Sequence, residues 1–166
     1  MSILIAVATR HGSTREIADA IAAELRGTGH TVQVQDITDG LVLENHTAVV
    51  IGSAVYMGSW LPEAAQFIED HHVQLRGKAV WLFSSGPLGS EDPKLHGDPA
   101  QISKLIESTG ARGHRTFVGK LDSHRLSLGE RFVTKMVNAP EGDFRDWDAV
   151  RGWADEIAGA MPAAIA

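Results

Sequence analysis

The chain of 166 residues contains no cysteine. Structural disulfides, thiol redox chemistry and cysteine-ligated metal or iron–sulfur centres are therefore excluded, and any redox role has to come from a bound organic cofactor. Basic residues are also in deficit, with 15 Lys and Arg against 21 Asp and Glu and a formal net charge of -6. That balance argues against a general nucleic-acid binder, because phosphate backbones are held by clustered Lys and Arg. It is too mild to name a partner. Long apolar runs are missing as well: the opening "MSILIAVATRH" is apolar for about seven residues and carries no basic leader, which fits neither a signal peptide nor a membrane span. The expectation is a cytoplasmic protein without an integral membrane segment, in which a peripheral membrane association is still open. There is no internal repeat and no low-complexity segment, and the length suits one domain over residues 1–166.

What is present is a strand–helix alternation. Ile3 to Ala8 is a continuous apolar run, as in a parallel strand buried on both faces. From Ser13 the period changes, and Ile17, Ile21 and Leu25 with Ala18 and Ala22 lie on one helical stripe that Gly27 and Gly29 end. Val32 and Val34 alternate with polar residues, which predicts an edge strand, whereas "AVVIG" at 48–52 and "AVWLF" at 79–83 predict central ones. Between those two, Ser59 is expected to cap a helix with Pro62 in its first turn. A further helix opens at "DPAQ", 98–101, with Asp98 as cap, Gln101 reaching back and Gly110 at the end. A fifth strand is expected around Arg115 to Leu121, then a helix capped by Ser127 and Glu130, a loop at 138–146, and a last helix carrying Val150, Trp153, Ala154, Ile157 and Met161.

Five strands alternating with helices imply a parallel sheet covered on both faces, an α/β three-layer sandwich. At this length the strand order 2-1-3-4-5 fits better than the six-strand dinucleotide fold. In that order a ligand meets the loops after the first and third strands, here residues 9–14 and 53–60. The first loop reads Thr9-Arg10-His11-Gly12-Ser13-Thr14, and its single glycine lacks the G-x-G-x-x-G that dinucleotides need. A triphosphatase loop ending in Lys and Ser or Thr is absent too. A phosphoacceptor domain needs an aspartate at the end of the third strand and acidic partners after the first; the residues there are Gly52-Ser53 and Thr9-Arg10. What the loop suits is a terminal phosphate monoester: helix-terminal amides, three hydroxyls, a close approach at Gly12 and the charge of Arg10.

These residues resemble a family. Thr9 to Thr14 is similar to the flavodoxin phosphate loop, S/T-x-T-G-x-T, with His11 standing where the family places a hydroxyl. A further resemblance is to the flavodoxin-like, menaquinone-dependent protoporphyrinogen oxidases, carried by "TRHGSTREIA" at 9–18, "IGSAVYMG" at 51–58, and Arg131-Phe132, Lys135 and Asp146-Trp147. The resemblance implies a flavodoxin-like fold and bound FMN, with the phosphate in the first loop. It also implies flavin contacts from Ser53, Ala54, Val55, Tyr56, Met57 and Gly58 and from Ser84, Ser85, Gly86, Pro87, Leu88 and Gly89. Aromatic and sulfur side chains suit a flat, polarizable ring, Tyr56 ahead of Trp60, and Gly58 and Gly86 allow a close backbone.

No metal site is expected: His71 and His72 are neighbours on a helix and do not converge on one ion. No acid–base catalytic residue is identified, since electron transfer requires none. Three readings stay open: an oxidoreductase of the protoporphyrinogen-oxidase type that uses a quinone, a plain electron carrier docking to redox partner proteins, and a flavin-free interaction domain. The resemblance to the oxidases implies a segment after the fifth strand that is rich in basic and aromatic residues suited to quinone, membrane or tetrapyrrole contact. Residues 120–146 supply Lys120, Arg125, Arg131 and Lys135 but few aromatics, and His124 is the remaining substrate-facing candidate.

Overall fold

Ile3 to Ala8 are six successive buried side chains, and their alternation feeds two separate cores. Ile3, Ile5 and Val7 point to one face and Leu4, Ala6 and Ala8 to the other, so this strand needs helices on both sides. The computed structural model describes residues 2–86, 98–118, 120–121, 142–143 and 145–161. Along the chain these form β1 (Ser2–Ala8), α1 (Ser13–Gly27), β2 (Thr31–Asp36), β3 (Ala48–Tyr56), β4 (Ser59–Trp60), α2 (Pro62–Arg76) and β5 (Ala79–Gly86). Then come α3 (Pro99–Thr109), β6 (Gly113–Val118), β7 (Lys120–Leu121), β8 (Gly142–Asp143) and α4 (Trp147–Ala160).

Five parallel strands lie in the order β2-β1-β3-β5-β6, which is the expected 2-1-3-4-5 arrangement. Helices α1 and α4 cover one face, where Ile17, Ile21 and Leu25 meet Val150, Trp153 and Ile157. Helices α2 and α3 cover the other through Phe67, Ile68, Ile102 and Leu105. On the first face Phe83, Phe117 and Trp153 pack at ring separations of 5.6 to 6.0 Å. Gly52 makes room for this cluster: a Cβ there would lie 2.0 Å from the Phe83 ring.

The structure departs from the sequence reading where polar residues find partners inside the sheet. β3 and β5 run on to Tyr56 and Gly86 because the hydroxyls of Ser53 and Ser84, both buried, are hydrogen-bonded and so tolerate burial. Ser59 does not cap a helix. It pairs with Tyr56 in a hairpin whose turn residues Met57 and Gly58 both have positive φ, 52° and 81°. Leu61 is the N-cap of α2, with Pro62 following, and its amide donates to Ser53 Oγ at 3.0 Å. Asp98 does cap α3, accepting from the Ala100 amide, but Gln101 accepts from the Trp60 amide instead of closing a capping box. β6 begins at Gly113 and stops at Val118, while Lys120–Leu121 pairs antiparallel with Gly142–Asp143. Pro87, Leu88, Gly89, His124, Arg125, the expected helix around 127–137 and the first part of the expected 138–146 loop lie outside the described residues.

Candidate functional site

The C-terminal ends of the three central strands are in register: Ala8 is level with Ser53, and Ser53 with Ser84. The segments that follow β1 and β3 therefore leave the sheet side by side at the point where the strand order reverses. In an open parallel sheet this is where ligands bind.

The first segment is built as an anion cradle. Gly12 sits at φ 89°, in the left-handed region, and is the N-cap of α1. Thr9 Oγ1 accepts the Gly12 amide at 3.0 Å and so fixes the loop's curvature. No side chain caps α1, so the amides of its first turn have no acceptor within the helix and carry its positive end. Thr14, one residue into the helix, is 0% exposed, and its hydroxyl has no hydrogen-bond partner. A buried hydroxyl without a partner costs about 1–3 kcal/mol, so its presence at a helix N-terminus calls for an acceptor. A phosphate oxygen meets that demand. Ser13 is the first residue of the helix and His11 is half-buried in the loop.

Arg10 ties this loop to the next, its guanidinium carbon lying 4.3 Å from the centroid of the Tyr56 ring. At the hairpin tip Met57 is 70% exposed and holds a positive φ that non-glycine residues rarely adopt. The Asp98 amide donates to the Gly58 carbonyl at 2.7 Å, so the hairpin is anchored to the start of α3. Ala54 and Tyr56 are half-buried, and Val55 is packed into the α2–α3 core.

Beneath the hairpin runs a chain of polar contacts. Trp60 is buried, and its Nε1–H donates to Ser84 Oγ at 2.7 Å; Ser84 Oγ also lies 2.8 Å from His114 Nε2. Since the indole can only donate, the hydroxyl hydrogen of Ser84 is left for His114, which fits a neutral imidazole. Burial holds His114 below the ordinary imidazole range in the same sense. The hydroxyls of Ser53 and Ser84 are thus engaged in holding the hairpin and α2, which leaves the backbone of these residues as what they can offer a ligand. Ser85 and Gly86 are buried at the end of β5.

The sequence reading singled out neither Gln101 nor Arg145 as part of the site. Gln101 holds the Trp60 amide at 3.0 Å, and Arg145 pairs with Glu16 in the first turn of α1. Contacts across 41 and 129 residues leave no local pattern to read. Asp146 and Trp147, by contrast, have a structural role: Asp146 caps α4 by accepting the Ala149 amide at 3.0 Å.

Five parallel strands in this order, with a hydroxyl-rich strand–helix turn at the switch point, define the doubly wound class of α/β proteins. Within that class, a family model described as "Flavodoxin domain" matches residues 4–148, and the chain belongs to the flavodoxin family, whose members generally bind FMN. Among curated proteins it is 27% identical to "Protoporphyrinogen IX dehydrogenase [quinone]" of Escherichia coli (strain K12), with 95% of each chain covered. Among solved structures it resembles the Streptococcus pneumonia TIGR4 flavodoxin (21% identity, 97% of this chain and 100% of that one, TM-score 0.64). It also resembles a flavodoxin from the domain Archaea (16% identity, 96% and 98%, TM-score 0.63). These structural likenesses bear on the fold.

Proposed function

We propose that the protein is an FMN-dependent oxidoreductase that takes electrons from a reduced substrate and passes them to a quinone or another acceptor. The observation that carries the cofactor is the buried, unpartnered hydroxyl of Thr14 at the uncapped start of α1. In this reading the hydroxyls of Thr9, Ser13 and Thr14 and the first amides of α1 would hold the phosphate, Gly12, whose own amide is taken by Thr9 Oγ1, would let the backbone come close, and Arg10 with His11 would border it. The hairpin would hold the ring, with Tyr56, Met57 and Gly58 and the backbone of Ser53, Ala54 and Val55 available to it. The end of β5 at Ser84, Ser85 and Gly86 would border the ring's polar edge; Pro87, Leu88 and Gly89, named with them in the sequence, lie outside the described residues.

Bound FMN supplies the reversible electron transfer; the chain's part is to bind and orient it and to set access to it. The hydroxyls and helix amides give the phosphate fixed donors that need no rearrangement. The exposed Met57 and half-buried Tyr56 offer a polarizable and partly apolar border to an incoming flat substrate. The oxidoreductase assignment is supported by near full-length similarity to the E. coli dehydrogenase, whose name gives protoporphyrinogen IX as its substrate and a quinone as its acceptor. No helix among the described residues is long and apolar enough to cross a membrane.

The test has two stages. Titration of the purified protein with FMN is expected to give saturable flavin bands and fluorescence quenching; no binding contradicts the reading. Anaerobic mixing of the loaded protein with protoporphyrinogen and menadione is then expected to give turnover. Flavin binding without turnover on any reduced substrate points instead to a plain electron carrier.

A further inference from the structure

Arg145 precedes α4, and its side chain is only 5% exposed. A guanidinium so deeply placed costs several kcal/mol in lost hydration unless it is paired. Its pairing crosses the molecule: it forms an ion pair with the Glu16 carboxylate, and its guanidinium carbon lies 4.6 Å from the centroid of the Trp147 ring. Trp147 begins α4, whose Trp153 and Ile157 are packed in the same core as Ile17 and Ile21 of α1. The cation is therefore set in place by the docking of the two helices.

Glu16 is the one acidic residue in the first turn of α1, two residues beyond Thr14. A carboxylate at that place stabilises the helix by itself, because it meets the positive end of the dipole. The same property makes it a competitor for any other anion at the same helix end. The neighbouring charges do not relieve this: Arg15 is paired with Asp19 at 3.3 Å, and Arg10 lies over Tyr56. Among the described residues, Arg145 is the cation that contacts Glu16.

We propose that Arg145 is a positioning residue for the phosphate site, neutralising Glu16 so that the start of α1 is left to the ligand's anion. This rests on the FMN reading above. It adds a specificity determinant that acts through charge, and it predicts discrimination between FMN and riboflavin, which differ by the phosphate. Glu16 is 48% exposed, so solvent and salt screen the effect, and the loss on removing Arg145 should be several-fold.

The experiment measures FMN and riboflavin dissociation constants by flavin fluorescence quenching at low and high salt. The proteins compared are the wild type, Arg145→Ala, Arg145→Lys and the double variant Arg145→Ala with Glu16→Gln, with folding checked by circular dichroism. Arg145→Ala is expected to weaken FMN several-fold while leaving riboflavin unchanged, with a smaller difference at high salt. The double variant, which removes both charges, should recover the wild-type ratio, and Arg145→Lys should retain most of it. Equal losses for both ligands, or a double variant no better than Arg145→Ala, would overturn the proposal in favour of a purely structural anchor. Should Arg145→Ala fail to fold, the Lys and double variants decide between the same outcomes. A wild type that binds FMN no more tightly than riboflavin overturns the phosphate reading and this inference with it. A wild type with a clear preference that Arg145→Ala shares overturns this inference alone.

Discussion

Thr14 concentrates the problem in one side chain. It is fully buried, its hydroxyl has no partner, and it stands at the positive end of a helix whose N-cap, Gly12, has no side chain to cap it. Removing a hydrogen bond to a charged group costs about 1.5–3 kcal/mol, or roughly ten- to a hundredfold in affinity. Thr14→Ala should therefore weaken FMN by at least about tenfold and riboflavin hardly at all, as read by fluorescence titration. Without FMN the same variant should be as stable as the wild type or more so, because an unsatisfied buried hydroxyl is gone. Equal losses for both flavins would contradict the assignment. The residue types of this loop were legible in the sequence, since hydroxyls, a glycine and an arginine gathered at a strand–helix junction match the donors and the charge that a phosphate needs. What could not be read was that Thr14 is left without a partner, because that depends on everything packed around it. The ion pair of Arg145 with Glu16 was illegible altogether, because the two residues are 129 positions apart.

At the scale of elements, the β3–β4 hairpin is where sequence reasoning and structure part. The signal for a helix cap at Ser59 was overridden by Met57-Gly58, a turn with two positive φ values, and Ser53 took over the amide of Leu61 from within the strand. The hairpin is pinned from below by Trp60, Ser84 and His114, and this contact chain carries a pH dependence. Burial lowers the pKa of His114 in the folded protein, and that of His46 through burial with the charge of Lys78 adding to it. The unfolded chain therefore takes up protons first as the pH falls. The associated stability is complete above the ordinary value of 6.5 and is lost progressively below it, toward the lowered folded values. Urea midpoints should fall between about pH 7 and pH 5.5, and His114→Gln, which still accepts from Ser84, should make the fall shallower. An unchanged slope in that variant contradicts the role given to His114.

The glycine at the end of the expected third strand has a similar element-level meaning. It lies in the "IGSAVYMG" pattern that carries the family resemblance, yet its contact is with the core: a Cβ on Gly52 collides with Phe83. Overpacking of this kind costs about 1–3 kcal/mol, and Gly52→Ala should lower the urea midpoint accordingly. Combining it with Phe83→Leu should recover part of the loss. If Gly52→Ala is neutral in urea, Phe83 is not confined as described.

For the molecule as a whole, strand order was the most legible feature. Apolar runs at 3–8, 48–52 and 79–83 mark strands buried on both faces, the alternating run at 31–34 marks an edge, and crossovers in parallel sheets leave few arrangements. The order β2-β1-β3-β5-β6 follows those signals. Strand lengths were less legible, because Ser53 and Ser84 look like loop residues until their partners are known. The small antiparallel pair of 120–121 with 142–143 was invisible for the same reason that the Arg145 pairing was: its register depends on a long-range contact.

The topology brings the turn after β1 and the hairpin after β3 to one end of the sheet, and Arg10 joins them across Tyr56. That junction is the basis of the central claim, that this end of the molecule binds FMN by its phosphate. The most direct measurement is the pair of dissociation constants of the wild-type protein for FMN and riboflavin in one buffer. The expected result is saturable binding of FMN at least about tenfold tighter than riboflavin, the equivalent of one or more charge-assisted hydrogen bonds. Equal affinities, or no binding of either flavin, would contradict it.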